Sequence, residues 1–303
     1  MLMIPIRNDK LNSLAEYHYH NIEQHLKRPR INKFDAINNW FMTNGLRLSL
    51  HDVVVAPYEL LVRVKDSYYQ TSYPSEVNYL KNLYNDYFSK SGQYINDEYN
   101  AVILVEKLGL KVCPYCNRSF INNVNLEQRG LRRTSQLDHF FSKGIYPFLA
   151  LSFYNLVPSC PSCNHLKHNK SIDISPYDEN IEHDELIKFD YDIKSVDYLH
   201  NEKDIEVKVR FKDEIKRNVK ELGLESQYLI HSDIVYELIK KMQIYNESHF
   251  AEIMRNFPKL FKDEHEMKRV VFGNYLSIED IHKRPLAKLT KDIYEKIYNT
   301  EST

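Results

Sequence analysis

The sequence predicts a mainly α-helical protein with a small central module of two short strands and a helix, and some extra strands around residues 186–211. Three observations support this fold class. Segments of helical length, with apolar residues three and four positions apart, recur through most of the 303 residues. Seven glycines in the whole chain argue against a fold dominated by loops. All four cysteines fall in the middle of the chain, where the helical pattern is interrupted.

The apolar composition favours a globular protein without membrane spans. An apolar fraction of 43% is enough for a sizeable core. The apolar window AVILVEKLGLKV at 101–112 is short and interrupted by charge, whereas a membrane span needs about 20 apolar residues. The N-terminal MLMIPIRNDK has too short an apolar stretch for a signal peptide. We therefore expect a cytoplasmic protein.

The N-terminal part of the chain is predicted to be helical, with helices over 11–26, 33–42, 75–88 and 96–110. In the third helix Val77, Leu80 and Leu83 recur at helical spacing, and Ser75 is the expected N-cap. Gly109 is the expected stop of the fourth helix.

The middle of the chain is predicted to be less regular. It holds a short strand over 118–124, a polar and basic loop over 125–135, a second strand over 135–141 and a short helix that begins after Cys163. Two further strands are predicted over 186–193 and 204–211, and helices over 212–224, 232–257 and 286–298. We therefore divide the chain into a helical region at 1–108, a central module at 109–175 and a mostly helical region with a short β element at 176–303.

The charges are unevenly distributed along the chain, although 41 basic residues nearly balance 42 acidic ones. Residues 111–170 contain eight Lys or Arg against two acids, a net charge of +6. Residues 171–205 contain eleven acids against three lysines. An excess of positive charge in one module is what a phosphate backbone attracts, and two ordinary solvated faces are the alternative interpretation.

The four cysteines form two Cys-x-x-Cys pairs, Cys113/Cys116 and Cys160/Cys163, both inside the basic block. In a cytosolic chain this pattern is typical of zinc binding rather than of disulfides. Four thiolates match the closed tetrahedral shell of a structural Zn²⁺. Two unrelated redox or core cysteine pairs are the alternative.

Polar residues at defined positions between and beside these pairs indicate a second, catalytic site. Asp138 and His139 are adjacent, Asn155 precedes Cys160 by five residues, and Asn164 directly follows Cys163. A carboxylate and an amide carbonyl are oxygen ligands of the kind that Mg²⁺ prefers, and a neutral His can accept a proton from water near pH 7. Adjacent side chains of a strand point to opposite faces, so we expect a strand end or bend at Asp138-His139.

The motifs CPYC at 113–116, LDHFFSKGIYP at 137–147 and NLVPSCPSCNHLKHNK at 155–170 resemble the four-cysteine branch of the HNH endonucleases, which have the ββα-metal fold. The chain is most similar to the HNH nuclease subunits of Septu-type anti-phage defence systems, which also occur beside some retrons. The resemblance spans residues 111–170, and the flanking helices match only in general character.

The resemblance implies a role for each matched residue. His139 would be the general base, Asp138 a ligand of the catalytic Mg²⁺ or Mn²⁺, and Asn155 the residue that orients the base and fixes the loop. Asn164 stands where the family often has His and would be the second protein ligand of that metal. His165 or His168 could take its place.

Basic residues of the module are expected to contact the phosphate backbone, namely Lys143, Lys167, Lys170, Arg132 and Arg133. DNA is the expected substrate, and RNA stays an alternative because no groove-reading element is identifiable. No Gly-rich run precedes Lys-Ser or Lys-Thr, so the chain has no phosphate-binding loop. The resemblance implies that a separate ABC-type ATPase is the partner.

Two other classes of function fit the same residues. One is a zinc-stabilised module that binds nucleic acid or protein without catalysis, which predicts zinc but no Mg²⁺-dependent cleavage. The other is a mainly structural subunit whose helical flanks hold a partner, and this one is compatible with nuclease activity.

Overall fold

The protein is mainly α-helical, as predicted. The computed structural model describes residues 5–6, 10–90, 92–95, 99–128 and 130–301. Helices make up about 53% of the protein. The strands of the described residues form three separate two-stranded antiparallel sheets. Within these ranges, no helix is both long enough and apolar enough to cross a membrane.

The helices are α1 Leu11–Leu26, α2 Phe34–Thr43, α3 Leu50–Val54, α4 Tyr58–Ser67, α5 Ser75–Leu83, α6 Ala101–Leu108, α7 Pro161–Lys167, α8 His183–Leu186, α9 Lys216–Glu221, α10 Leu224–Tyr228, α11 Ser232–Ile244, α12 Glu247–Asn256, α13 Glu264–Phe272 and α14 Ala287–Glu301. The strands are β1 Asn123–Leu126, β2 Gly130–Arg133, β3 Gln136–His139, β4 Leu156–Ser159, β5 Ile187–Ile193 and β6 Ile205–Phe211. Strands β1 and β2, β3 and β4, and β5 and β6 pair with each other.

The described chain folds into two compact units. The N-terminal unit comprises residues 5–113 and 121–181, and the C-terminal unit comprises residues 114–120 and those from Glu182 onward. The division into regions 1–108, 109–175 and 176–303, inferred from the sequence, stays a prediction.

Helix α1 shows how the N-terminal unit builds its core. Leu11, Ala15, Ile22 and Leu26 recur on one face of this helix and are buried, because positions three, four and seven apart lie on the same side. His18 lies on that face too, with Nδ1 2.7 Å from the Tyr99 hydroxyl and Nε2 2.8 Å from the Leu151 carbonyl oxygen. A carbonyl can only accept, so Nε2 carries the proton. Burial lowers the pKa of His18 to about 4, and the ring is neutral at pH 7.

Helix α6 begins at a polar residue and ends at a flexible one. The Asn100 side chain accepts from the backbone N–H groups of Val102 and Ile103 at the start of α6. Gly109 ends α6 at φ 66°, a left-handed conformation that favours glycine, as the sequence predicts. The predicted helix over 75–88 changes after Leu83 into a π-helical turn at Tyr84–Phe88.

In the C-terminal unit, the hairpin of β5 and β6 packs against α14 and α11. Both strands lie where the sequence predicts them. The Asn117 side chain donates to the Ile281 carbonyl at 2.9 Å and accepts from the Lys288 N–H at 3.1 Å, which ties residues 114–120 to the start of α14.

Several predictions about elements were wrong or incomplete. The strand predicted over 118–124 begins at Asn123, and the loop predicted over 125–135 contains β2, whose arginines hide the strand pattern. The single helix predicted over 232–257 breaks before α12, where the Asn246 side chain accepts from the His249 N–H and starts a new helix. Helices α3, α4 and α13 were not predicted.

Candidate functional site

Strands β3 and β4 and helix α7 form a strand, loop, strand and helix arrangement in the N-terminal unit. The two strands are antiparallel, with Asp138 opposite Val157 and His139 opposite Leu156. Helix α7 begins at Pro161, directly after the β4 strand and Cys160. The arrangement brings the Asp138-His139 pair, at the end of β3, next to the residues that follow Cys163.

All four cysteines come together as the sequence predicts. The Cys113, Cys116, Cys160 and Cys163 side chains are buried, and their sulfur atoms all lie within 4.8 Å of one another. This spacing fits one tetrahedral Zn²⁺ bound by four thiolates. The cluster is therefore compatible with a structural metal such as zinc.

Backbone N–H groups point at three of these sulfur atoms. The N–H of Cys160 donates to Cys113 Sγ at 3.3 Å, and the N–H of Cys163 to Cys160 Sγ at 3.4 Å. The N–H of Arg118 donates to Cys116 Sγ at 3.4 Å. Such bonds stabilise the charged thiolate form that zinc requires, which is a second feature of the donors that fits the metal.

A cleft of about 540 Å³ opens beside β3 and α7. Most of the sequence-predicted catalytic residues meet there. Its lining consists of Gln136, Leu137, Asp138, His139, Ser142, Lys143, Pro161, Asn164, His165, His168 and Asn169. Asp138, His139, Asn164 and His168 therefore line one cleft, whereas Asn155 is buried in the protein and does not line it.

His139 is buried, with 6% of its surface exposed, and one ring nitrogen is fixed. Its Nε2 lies 3.0 Å from the Ala150 carbonyl oxygen. Because that oxygen can only accept, Nε2 donates, and the neutral ring keeps an unprotonated Nδ1. Burial, followed by the positive charge of Lys143, lowers the pKa of His139 to about 3. The ring is therefore neutral at pH 7, the state that a proton acceptor needs.

Tyr84 packs against His139 from the protein side, a contact that the sequence did not indicate. Its ring meets the His139 ring edge-on, with centroids 4.4 Å apart, and its hydroxyl donates to the Leu137 carbonyl at 3.2 Å. The π-helical turn at Tyr84–Phe88 supplies this side chain. A π turn inside a helix leaves no local sequence signal, although such turns often mark functional sites.

Asn155 fixes the loop between β3 and β4. It is fully buried, and its Oδ1 accepts from the Phe141 N–H at 2.7 Å. Its Nδ2 donates to the carbonyl oxygens of Phe141 at 3.1 Å and Leu149 at 2.9 Å. Ala150, which follows Leu149, is the residue whose carbonyl holds His139.

Asp138 makes a buried ion pair with Lys167. The Lys167 Nζ lies 3.1 Å from each carboxylate oxygen and 2.8 Å from the His139 carbonyl oxygen. Lys167 is 0% exposed and Asp138 3%. The sequence predicted a phosphate contact for Lys167, but its ammonium group faces the protein interior at the end of α7, where it binds the end of β3.

Asn164 lines the cleft from the first turns of α7. Its Nδ2 donates to the Gln136 side-chain oxygen at 2.5 Å, so its own amide oxygen is the group left to bind a ligand. The amide orientation follows from that bond. His165 and His168 lie on the same wall of the cleft.

The other basic residues differ in their surroundings. The Lys143 ammonium lies 4.7 Å from the centre of the Tyr84 ring and lines the cleft. Lys170 is exposed but does not line the cleft. Arg132 and Arg133 lie on β2, and the Arg133 guanidinium donates to the Ser89 carbonyl at 2.7 Å, which directs it toward the protein.

The donors of the cleft fit a divalent cation such as Mg²⁺ or Mn²⁺ in type. Asp138 and Asn164 line the cleft with oxygen donors, and His165 and His168 line it with ring nitrogens. Among the described residues, only the four cysteines form a group of three or more His, Cys, Asp or Glu side chains close enough together to share one ion. Of the described residues that line the cleft, Asp138 is the one acidic side chain. Its charge is already balanced by Lys167, which limits how strongly Asp138 attracts a cation.

Comparison of the chain with protein-family models, with curated proteins and with solved structures found no match. The class of the site therefore follows from its own chemistry. A neutral buried histidine, one carboxylate and one amide meet in a polar cleft beside a cluster of four cysteines.

Proposed function

We propose that this protein is a metal-dependent endonuclease of the HNH type that hydrolyses phosphodiester bonds, with DNA as the first candidate substrate. The observation that carries the proposal is the convergence of Asp138, His139 and Asn164 on one cleft between a two-stranded sheet and a helix. The fixed Nε2 of His139 supports it further, because it leaves Nδ1 free to accept a proton.

In the proposed reaction, Nδ1 of His139 accepts a proton from water. The water oxygen forms a bond to phosphorus, the bond from phosphorus to the leaving oxygen breaks, and that oxygen takes up a proton from solvent. Asp138 and Asn164 would hold a divalent ion, which when bound neutralises charge on the phosphate and on the leaving oxygen. Asn155 keeps the loop in place, and with it the Ala150 carbonyl that orients His139.

For the biological setting we propose a cytoplasmic anti-phage defence system in which a separate ATPase controls the nuclease. The resemblance of the motifs at 113–170 to Septu-type nuclease subunits supports this setting. The chain itself has no phosphate-binding loop, so ATP would act through the partner.

The test is cleavage of a supercoiled plasmid, a single-stranded DNA and an RNA by the zinc-loaded protein with Mn²⁺ or Mg²⁺. Replacing a general base costs about 10²- to 10⁴-fold in rate, so His139→Ala should reduce cleavage by this much and leave zinc content unchanged. His20→Ala replaces an exposed histidine of α1 and is the matched control.

Two results would contradict the proposal. Equal cleavage by wild type and His139→Ala would mean that the base lies elsewhere. Binding of nucleic acid without cleavage under any of these conditions, also with an ATPase partner added, would favour the zinc-stabilised binding module instead.

A further inference from the structure

The cleft has an unusual charge for a cation site. Mg²⁺ sites in proteins commonly offer one or two carboxylates together with substrate phosphates. Here the one described acidic side chain of the lining is Asp138, and Lys167 lies 3.1 Å from both of its oxygens. Lys143 lines the same cleft and also interacts electrostatically with Asp138. Two ammonium groups therefore oppose one carboxylate.

The Lys167 ammonium group is fixed in place by its hydrogen bonds and by burial. Its Nζ also donates to the His139 carbonyl oxygen at 2.8 Å, and the side chain is fully buried at the end of α7. Moving a buried ammonium group into another part of the interior would cost several kcal/mol. A cation that binds Asp138 must therefore share the carboxylate with Lys167.

A phosphodiester changes this balance. Each phosphate of the substrate brings one negative charge and further oxygen ligands into the cleft. Lys143 and Lys167 then oppose the combined charge of Asp138 and the substrate. A divalent ion that is repelled from the empty cleft becomes favourable in the filled one.

We infer that Lys167, with Lys143, makes binding of the catalytic metal depend on the nucleic acid, so that cation and substrate enter the cleft together. The inference rests on the proposed nuclease function and deepens it, because it assigns a regulatory role to a lysine that does not face solvent. Cooperative binding is reciprocal, so the metal raises the affinity for nucleic acid by the same factor.

The experiment measures Mn²⁺ binding directly, by electron paramagnetic resonance of free Mn²⁺, on zinc-loaded protein. A His139→Ala background keeps the nucleic acid intact, and wild type without nucleic acid is measured beside it. Adding a DNA duplex, or an RNA of the same sequence, should tighten Mn²⁺ binding by at least about tenfold. Mn²⁺ should tighten binding of the same oligonucleotide, followed by fluorescence anisotropy, by an equal factor.

Two variants separate charge from packing. Lys167→Met keeps most of the buried side-chain volume and removes the charge, so it should bind Mn²⁺ without nucleic acid about tenfold more tightly than the parent. Lys167→Arg keeps the charge and should keep the dependence on nucleic acid. Lys107→Met changes an exposed lysine of α6 that does not line the cleft and is the matched control, with no expected effect.

The outcomes distinguish the inference from the proposed function. Cleavage that needs His139, together with equal Mn²⁺ affinity with and without nucleic acid, overturns the inference and leaves the nuclease proposal standing. Unchanged Mn²⁺ affinity in folded Lys167→Met also overturns it. If Mn²⁺ does not bind even with nucleic acid and no cleavage occurs, both proposals fail.

Discussion

At the residue scale, the Asn155 side-chain amide fixes the loop that orients His139, the candidate base, without contacting it directly. Asn155 does not line the cleft, yet its three side-chain hydrogen bonds join Phe141 to Leu149 across the loop. The next carbonyl along, that of Ala150, decides which nitrogen of His139 is protonated. The side chain therefore acts through geometry rather than by contact with a substrate.

The first expected effect concerns the polarity of this amide. In Asn155→Asp the carboxylate can still accept from the Phe141 N–H but cannot donate to the two carbonyls. We expect a loss of about 1–3 kcal/mol in the free energy of unfolding for the unpaired buried groups, and slower cleavage. Urea unfolding measures the loss of stability. It is followed by the fluorescence of Trp40, the only tryptophan, which lies in the same unit as Asn155.

Asn39→Asp is the control for this substitution. Asn39 is exposed on α2, and we expect a change within about 0.5 kcal/mol. A stability of Asn155→Asp equal to that of wild type would show that the loop is held without this amide.

A second residue-scale effect concerns His168, which ends α7 at φ 48° and ψ −123°. This conformation favours glycine and is strained for a side chain with a Cβ, at a cost of order 1–3 kcal/mol. His168→Gly and His168→Ala both remove the imidazole, but only glycine relieves the backbone. We expect His168→Gly to be the more stable by about 1 kcal/mol in the same urea assay. The opposite order, which is usual in ordinary backbone, would contradict the assigned strain.

At the element scale, the cysteine cluster brings the start of α7 next to Cys113 and Cys116. We expect one zinc per chain by elemental analysis. Cys160→Ser removes both a sulfur ligand and the acceptor of the Cys163 N–H. Metal binding and folding are coupled in such sites, so this variant should lose zinc and much of its structure.

Ser162→Ala is the matched control, since Ser162 is exposed between the same two cysteines. It should keep zinc and thermal stability, as judged by circular dichroism. Zinc content near zero in the folded wild type, or a folded Cys160→Ser with unchanged melting temperature, would rule out a structural zinc.

Elements with a strong local signal could be predicted from the sequence, and those set by tertiary packing could not. Helix α1 has the predicted bounds, because its apolar spacing is regular. A short helix near the second cysteine pair and a strand around Asp138 were also predicted, but α7 begins at Pro161, before Cys163 rather than after it. The break between α11 and α12 was missed, since the capping role of Asn246 was not recognised inside a helical pattern.

The site shows the same division. The meeting of the four cysteines was expected from the two Cys-x-x-Cys pairs. The meeting of Asp138 with Asn164 was expected because a shared metal would hold the helix after the second pair beside β3. The burial of Lys167 did not, because a lysine near a helix end is ordinarily solvated. Tyr84 lies far from the motif in sequence, and only the packing of the π-helical turn brings its ring to His139.

At the scale of the whole molecule, buried histidines make stability depend on pH, and His18 is one that lies outside the cleft. The pKa of His18 is lowered to about 4 by burial, from 6.5 in the unfolded chain. Below pH 6.5 the unfolded state binds the extra proton, so the stability present at neutral pH is lost as the pH falls from 6.5 toward 4. The contribution of His18 to the free energy of unfolding falls by an amount on the order of 2 kcal/mol between pH 7 and pH 5.

The comparison of wild type with His18→Gln isolates this contribution. Glutamine does not titrate, so the variant should be less stable at pH 7 but should lose less stability on acidification. Urea unfolding at pH 7 and pH 5, followed by Trp40 fluorescence, measures how the free energy of unfolding changes with pH in each protein. Parallel slopes would mean that His18 does not titrate between the two states.

The positions of the cysteines along the chain have a consequence for chain entropy. Cys113 and Cys160 are separated by 47 residues, and the loop that a shared metal would close contains His139 and Asn155. By analogy with a covalent cross-link, closing a loop of this length reduces the conformational entropy of the unfolded chain, which is worth about 4 kcal/mol in the free energy of unfolding. Without the ion, the unfolded segment between these two cysteines would regain this entropy, and folding of the whole segment would become less favourable. The supply of zinc in the cell would then govern how much of the protein carries an assembled site.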